Sequence, residues 1–185
     1  MNYLDCATRV ALGTVFLVAA AGKARPVTFR AFVASLDAVR PLRRRLGRAA
    51  AGAVVAVEAL IVEALIVVAL IVPVAVVAGY LLAVAALSTF TVVAVAAMGR
   101  GERLRCRCFG ADAGPIGRTQ VVRNILLAAA GLGGLAAHVT AGAAPGVNTA
   151  GLVLAVAVGL AAGGIAVHLD DLVYLFTPST NRRVT

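Results

Sequence analysis

From Ala49 to Met98 the chain is apolar almost without interruption, with Glu58 and Glu63 its only charged residues. A helix needs roughly 20 apolar residues to cross the hydrocarbon core of a bilayer, so this stretch is about twice one crossing and has to reverse once with hardly any loop. Val72-Pro73 marks the reversal, because proline lacks the amide proton that would continue a helix. Long continuous runs also decide between the two architectures a bilayer permits. A helix satisfies its own backbone groups in lipid, whereas a barrel reads as short alternating segments. With 62% apolar and 14% charged residues and no tryptophan, the chain lies outside the soluble globular range. It reads as an all-α integral membrane protein. The net charge of +9 raises nucleic acid as a partner, but aromatic interleaving and a soluble basic domain are both missing, so the charge reads as membrane topology.

The other spans follow from the same length criterion. Residues 3–22 form a first span with Asp5, Cys6 and Arg9 gathered at its start. It is expected to be a retained helix rather than a signal sequence, because it carries Asp5 and lacks a basic leading region. Between Lys23 and Arg48 lie eight basic residues, and Phe29, Phe32, Val33, Leu36 and Val39 recur at helical spacing. That pattern predicts an interfacial amphipathic helix ended by Pro41. A second polar loop, Gly99 to Thr119, precedes a fourth span from about Val121 to Ala141, with Thr119 as its expected N-cap. Pro145 and Gly146 mark a turn, and a fifth span runs from about Val147 to Leu169. Gly151, Ala155, Gly159 and Gly163 recur every fourth residue along it. Such a stripe lets another helix approach closely; a helix of the same chain is the expected partner, and a second copy of the protein the alternative.

Charge sets the orientation. The basic residues concentrate in the loops after the first and third spans, while the two intervening turns carry none. The positive-inside rule then places both basic loops and the tail with Arg182 and Arg183 in the cytoplasm and the N-terminus outside a plasma membrane. Sixteen of the seventeen basic residues share one side, and Arg9 is the exception. Arg9, Glu58 and Glu63 fall inside spans, where an ionisable group is costly and needs a partner. By depth, Arg9 pairs with Glu63, and Glu58 is left protonated or with another partner. Asp5 sits nearer the interface and is expected to be solvated on its own. His138 and His168, at opposite ends of the bundle, read as interfacial residues.

Chemistry is offered at one place, Cys106-Arg107-Cys108-Phe109-Gly110. Two cysteines at i and i+2 are close enough for a disulfide, and the small ring makes it easily reduced. Arg103, Arg105 and Arg107 add positive potential that favours the thiolate. Three readings stand beside inert thiols: dithiol redox exchange, half of a metal site, and juxtamembrane lipidation. A tetrahedral metal site needs further ligands, and only Cys6, His138 and His168 remain. A dimer joining two such units is the other route to four sulfurs, and no metal site is assigned.

Taken together, Ala7-Thr-Arg9, the exit Ala21-Gly-Lys23-Ala-Arg-Pro26, the glutamate of the second span, and Arg100-Gly-Glu-Arg-Leu-Arg-Cys106-Arg-Cys108-Phe-Gly110 followed by Arg123-Asn124 resemble the MauE family. These are methylamine-utilisation membrane proteins related to DoxX-type four-helix membrane proteins. The resemblance covers roughly Met1 to Ala137. It implies a DoxX-like transmembrane bundle over residues 1–144, with residues 145–185 adding a fifth membrane helix and a short tail. It further implies a thiol–disulfide role in maturation of exported disulfide-containing or amine dehydrogenase-like proteins, with thioredoxin-like partners. Arg9, Lys23, Glu58 or Glu63, Cys106, Cys108, Arg123 and Asn124 are the shared positions, with Cys106 and Cys108 as the reacting pair. No bound cofactor is expected, and a quinone or a thioredoxin-like protein is the candidate electron partner. The opposing expectation is a non-catalytic membrane scaffold or subunit of a redox complex, in which the cysteine pair is structural or binds metal. Disulfide formation belongs to the oxidising outer side, whereas the charge asymmetry puts this pair at the cytoplasmic face.

Overall fold

In the computed structural model, residues 2–24, 26–37, 44–67, 73–99, 118–140, 148–169 and 172 are described. They form six helices: α1 (Tyr3–Ala24), α2 (Pro26–Asp37), α3 (Arg44–Val62), α4 (Pro73–Gly99), α5 (Arg118–Thr140) and α6 (Thr149–Val167), and α3 runs on into a π-helical turn, Glu63–Val67. No strand occurs among the described residues. Five helices are long and apolar enough to cross a membrane, over Tyr3–Lys23, Ala49–Ile66, Val74–Gly99, Arg118–Thr140 and Thr149–Val167. This is the expected five-span, all-α membrane protein. Pro73 opens α4, the position where a missing amide proton costs least.

The first span is the axis of the bundle. Half of its residues are buried, against 17–28% in the other four spans, and it packs against α2, α3, α5 and α6. Leu12, Val15 and Phe16 of α1 meet Ile61 and Leu65 from the α3 segment, Val76, Tyr80, Ala83 and Leu87 of α4, and Leu127 of α5 in one core. Large apolar side chains such as Leu60, Leu81, Val92, Leu126 and Leu160 are exposed on the outside, as a helix bundle bathed in lipid requires. We call the end of the bundle where α1 begins the N-side, and the opposite end, reached by Lys23 and Gly99, the loop side. A helix occurs where the amphipathic one was expected, as α2, which turns Phe32 inward until it is buried; Pro41, its expected stop, lies outside the described residues.

The small-residue stripe of α6 is filled by α1. A Cβ added at Gly159 would lie 2.5 Å from the Ala7 carbonyl oxygen, and one at Gly163 would lie 3.0 Å from that of Ala11. These two carbonyl oxygens are main chain and cannot swing aside. Gly159→Leu is therefore expected to push α6 off α1 and destabilise the protein by about 1–3 kcal/mol, the usual cost of overpacking. Gly164→Leu, where a Cβ meets nothing within 4 Å, serves as the neutral control, and thermal midpoints in detergent compare the two. Local signals at helix starts are partly different from expectation. Thr119 is already inside the first turn of α5 rather than capping it. Asn148 caps α6, its side chain accepting from the Gly151 amide at 2.6 Å.

Candidate functional site

The described polar residues that are buried fall on α1, α3 and α5, at both ends of the bundle. On the loop side, α1 delivers Lys23 to Glu58 of α3, with Nζ 2.6 Å from Oε1. Both are 2% exposed. Nζ also donates to the Ala19 carbonyl at 3.3 Å and sits 5.5 Å from the centre of the Phe32 ring. The ammonium thus ties α1, α3 and α2 together. The other carboxylate oxygen, Glu58 Oε2, has no hydrogen-bond partner among the described residues. Arg123 and Asn124 are buried near the loop-side start of α5, on the face that also carries Leu127, Gly131 and Gly134.

On the N-side the hub is Asp5, which is fully buried. The Tyr80 hydroxyl of α4 lies 2.9 Å from Oδ1 and 3.1 Å from the Asp5 carbonyl oxygen, positioned to donate to either. His138 of α5 places Nδ1 3.2 Å from Oδ2, and Arg9 Nη1 is 3.8 Å from the same oxygen. Three spans therefore converge on one carboxylate. The close approach needs Gly134, where a Cβ would come within 2.6 Å of the Tyr80 hydroxyl and 2.8 Å of Thr8 Cγ2.

Three expectations are overturned here. Arg9 does not pair with Glu63: its Nε–H donates to the Leu65 carbonyl at 2.9 Å, while Glu63 is exposed. Leu65 belongs to the π-helical turn at the end of the α3 segment. Carbonyls near a helix C-terminus lack intrahelical donors and carry partial negative charge, so a guanidinium finds its partner in the main chain. Nor is Asp5 solvated, because Tyr80 and His138 close over it. Glu58 takes Lys23 as its partner, and His138 is a member of the cluster rather than a lone interfacial residue. Tyr80, the lone tyrosine of α4, was readable as a signal, since a phenol in an apolar span seeks a partner for its hydroxyl.

Cys106 and Cys108 lie outside the described residues. Cys6, on α1 beside the Asp5 hub, is a free and buried thiol. No group of three or more histidine, cysteine or acidic residues suited to a metal ion occurs among the described residues.

Four apolar spans around a central fifth, with ionisable side chains buried at both ends of the bundle and paired across helices, define a multi-pass membrane protein. Residues 1–137 match the family described as methylamine utilisation protein MauE, and the chain belongs to that family. The match ends within α5, so α6 lies beyond it. No curated protein and no solved structure significantly matches the chain.

Proposed function

We propose that this protein is a membrane thiol–disulfide redox factor that assists maturation of exported disulfide-containing or amine dehydrogenase-like proteins in methylamine utilisation. Cys106 and Cys108 are its exchanging couple. The observation that supports this most is where their segment is tethered: Gly99 of α4 and Arg118 of α5 both end on the loop side, the side of the buried Lys23–Glu58 pair. That pair is charge-balanced, but the segment itself carries Arg103, Arg105 and Arg107, and cationic surroundings lower a thiol's pKa and favour the reactive thiolate.

In the exchange, a thiolate of a thioredoxin-like dithiol attacks one sulfur of the Cys106–Cys108 disulfide, and a mixed disulfide forms as the S–S bond breaks. The partner's second thiolate then releases itself as a disulfide. Two electrons and two protons pass to the cysteine pair, and a membrane quinone accepts them when the pair is reoxidised. With the pair on the cytoplasmic side, as the basic loops predict, maturation outside is served through this relay rather than by direct oxidation of clients. A second reading, a non-catalytic membrane subunit, draws on the Asp5 hub, whose two carboxylate oxygens are both engaged within the chain.

One assay separates them. In a Cys6→Ala background, alkylation with and without reductant is expected to reveal a reversible Cys106–Cys108 couple. Ser at either position is expected to abolish partner maturation while the protein stays in the membrane, and an impermeant thiol reagent on intact cells is expected to label neither cysteine. Cysteines that stay reduced under every condition, with a fully active double Ser variant, favour the scaffold. Ready labelling from outside reverses the orientation and leaves the redox reading standing.

A further inference from the structure

Between α3 and α4 lies an apolar groove of about 220 Å³, lined by Val54, Val57, Ala86 and Phe90, with Glu58 and Thr89 as the only polar residues among the described ones that line it. Ala53 also lines it, and Ala53 and Thr89 are both exposed. All these residues lie within the spans Ala49–Ile66 and Val74–Gly99, so the occupant arrives from the bilayer rather than from water.

Size, charge and hydrogen bonding each narrow what fits. An apolar cavity of about 150 Å³ holds a benzene ring, while pockets for whole drug-sized ligands begin at roughly 300 Å³. The groove therefore takes one substituted ring and leaves any tail in lipid. Lys23 already balances the charge of Glu58 at 2.6 Å, so a charged ligand would be left uncompensated. The Thr89 hydroxyl is spent as a donor on the Ala85 carbonyl at 2.8 Å, and Glu58 Oε2 has no hydrogen-bond partner among the described residues. Both polar groups thus offer acceptors, and the ligand has to supply donors.

We propose that this groove binds the ring of a membrane quinol, whose hydroxyls donate to Glu58 and Thr89. A quinone, carrying only acceptor carbonyls, is the weaker ligand. The purpose of the site rests on the redox reading: a dithiol plus a quinone gives a disulfide plus a quinol, two electrons and two protons moving together. Binding itself does not depend on the cysteines.

The test uses the purified full chain in detergent, labelled under anaerobic conditions with an azide-bearing photoreactive quinol and mapped by mass spectrometry. Crosslinks are expected on segments 53–58 and 86–90, displaced by decylubiquinol, in the wild type and equally in Cys106→Ser/Cys108→Ser. Ala53→Leu fills the mouth without touching the Lys23–Glu58 pair and is expected to weaken binding about tenfold or more with an unchanged thermal midpoint. The dimethyl ether of decylubiquinol, which has no donors, is expected to compete about tenfold or more less well, the size of a hydrogen bond to a charged group. Equal competition by the ether, crosslinks elsewhere, loss of labelling in the Ser variant, or labelling indifferent to Ala53→Leu each overturn the proposal. Intact labelling beside an inert Cys106–Cys108 pair refutes the redox reading alone.

Discussion

Glu58→Ala is expected to remove most of the folded protein from membranes, at a cost of about 3–5 kcal/mol, the usual effect of deleting one partner of a buried ion pair. The magnitude comes from what is left behind. Lys23 is 2% exposed, with its ammonium 5.5 Å from the centre of the Phe32 ring. The Ala19 carbonyl at 3.3 Å is a dipole that cannot replace a carboxylate at 2.6 Å. Lys23→Ala is expected to be comparably harmful, because it strands the Glu58 carboxylate instead. The paired replacement Lys23→Met/Glu58→Leu removes both charges and fills their space, so it is expected to recover most of the loss, a coupling that a double-mutant cycle reads directly. Folded yield and thermal midpoint in detergent measure all three variants. Losses that simply add would mean that the two side chains act separately and that the α1–α3 contact is held by the apolar core instead.

The parts of this structure that were legible in the sequence are those set by one segment alone. Each span follows from its own apolar length, the amphipathic helix α2 from its own periodicity, and the stripe of α6 from its own spacing. Family resemblance singled out Arg9, Lys23, Glu58 or Glu63, Arg123 and Asn124; of these all are buried in the structure except Glu63, which is exposed. What failed was the pairing across segments. Depth along two helices brought Arg9 level with Glu63, but level is not facing, and the π-helical turn presents the Leu65 carbonyl where a carboxylate was expected. The Asp5 hub was missed because its members stand 75 and 133 residues away in sequence, at Tyr80 and His138. An i,i+4 rule ties Asp5 to Arg9 alone. Only the packing of α4 and α5 against α1 reveals that Asp5 is sealed from water.

That hub carries the second large expectation. Asp5→Ala removes the acceptor of Tyr80 and His138 and the one carboxylate paired with Arg9 among the described residues, the Arg9 side chain being 8% exposed. Tyr80 keeps a fallback in the Asp5 carbonyl at 3.1 Å, and Arg9 keeps the Leu65 carbonyl, so the main loss is the counter-charge of a buried guanidinium. About 3 kcal/mol or more is expected. Asp5→Asn separates charge from hydrogen bonding: the amide still serves Tyr80 or His138, and its loss measures the charge alone. Tyr80→Phe deletes one donor and leaves Asp5 with His138 and Arg9, so about 1–2 kcal/mol is expected. Glu63→Gln touches an exposed residue that is bonded to nothing among the described residues, and a change within about 0.5 kcal/mol is expected. The cycle between Arg9→Met and Asp5→Leu should therefore show strong coupling, and that between Arg9→Met and Glu63→Gln none. A reversed outcome, with Glu63 coupled to Arg9 and Asp5 additive, would return the arginine to the glutamate and dismantle the hub.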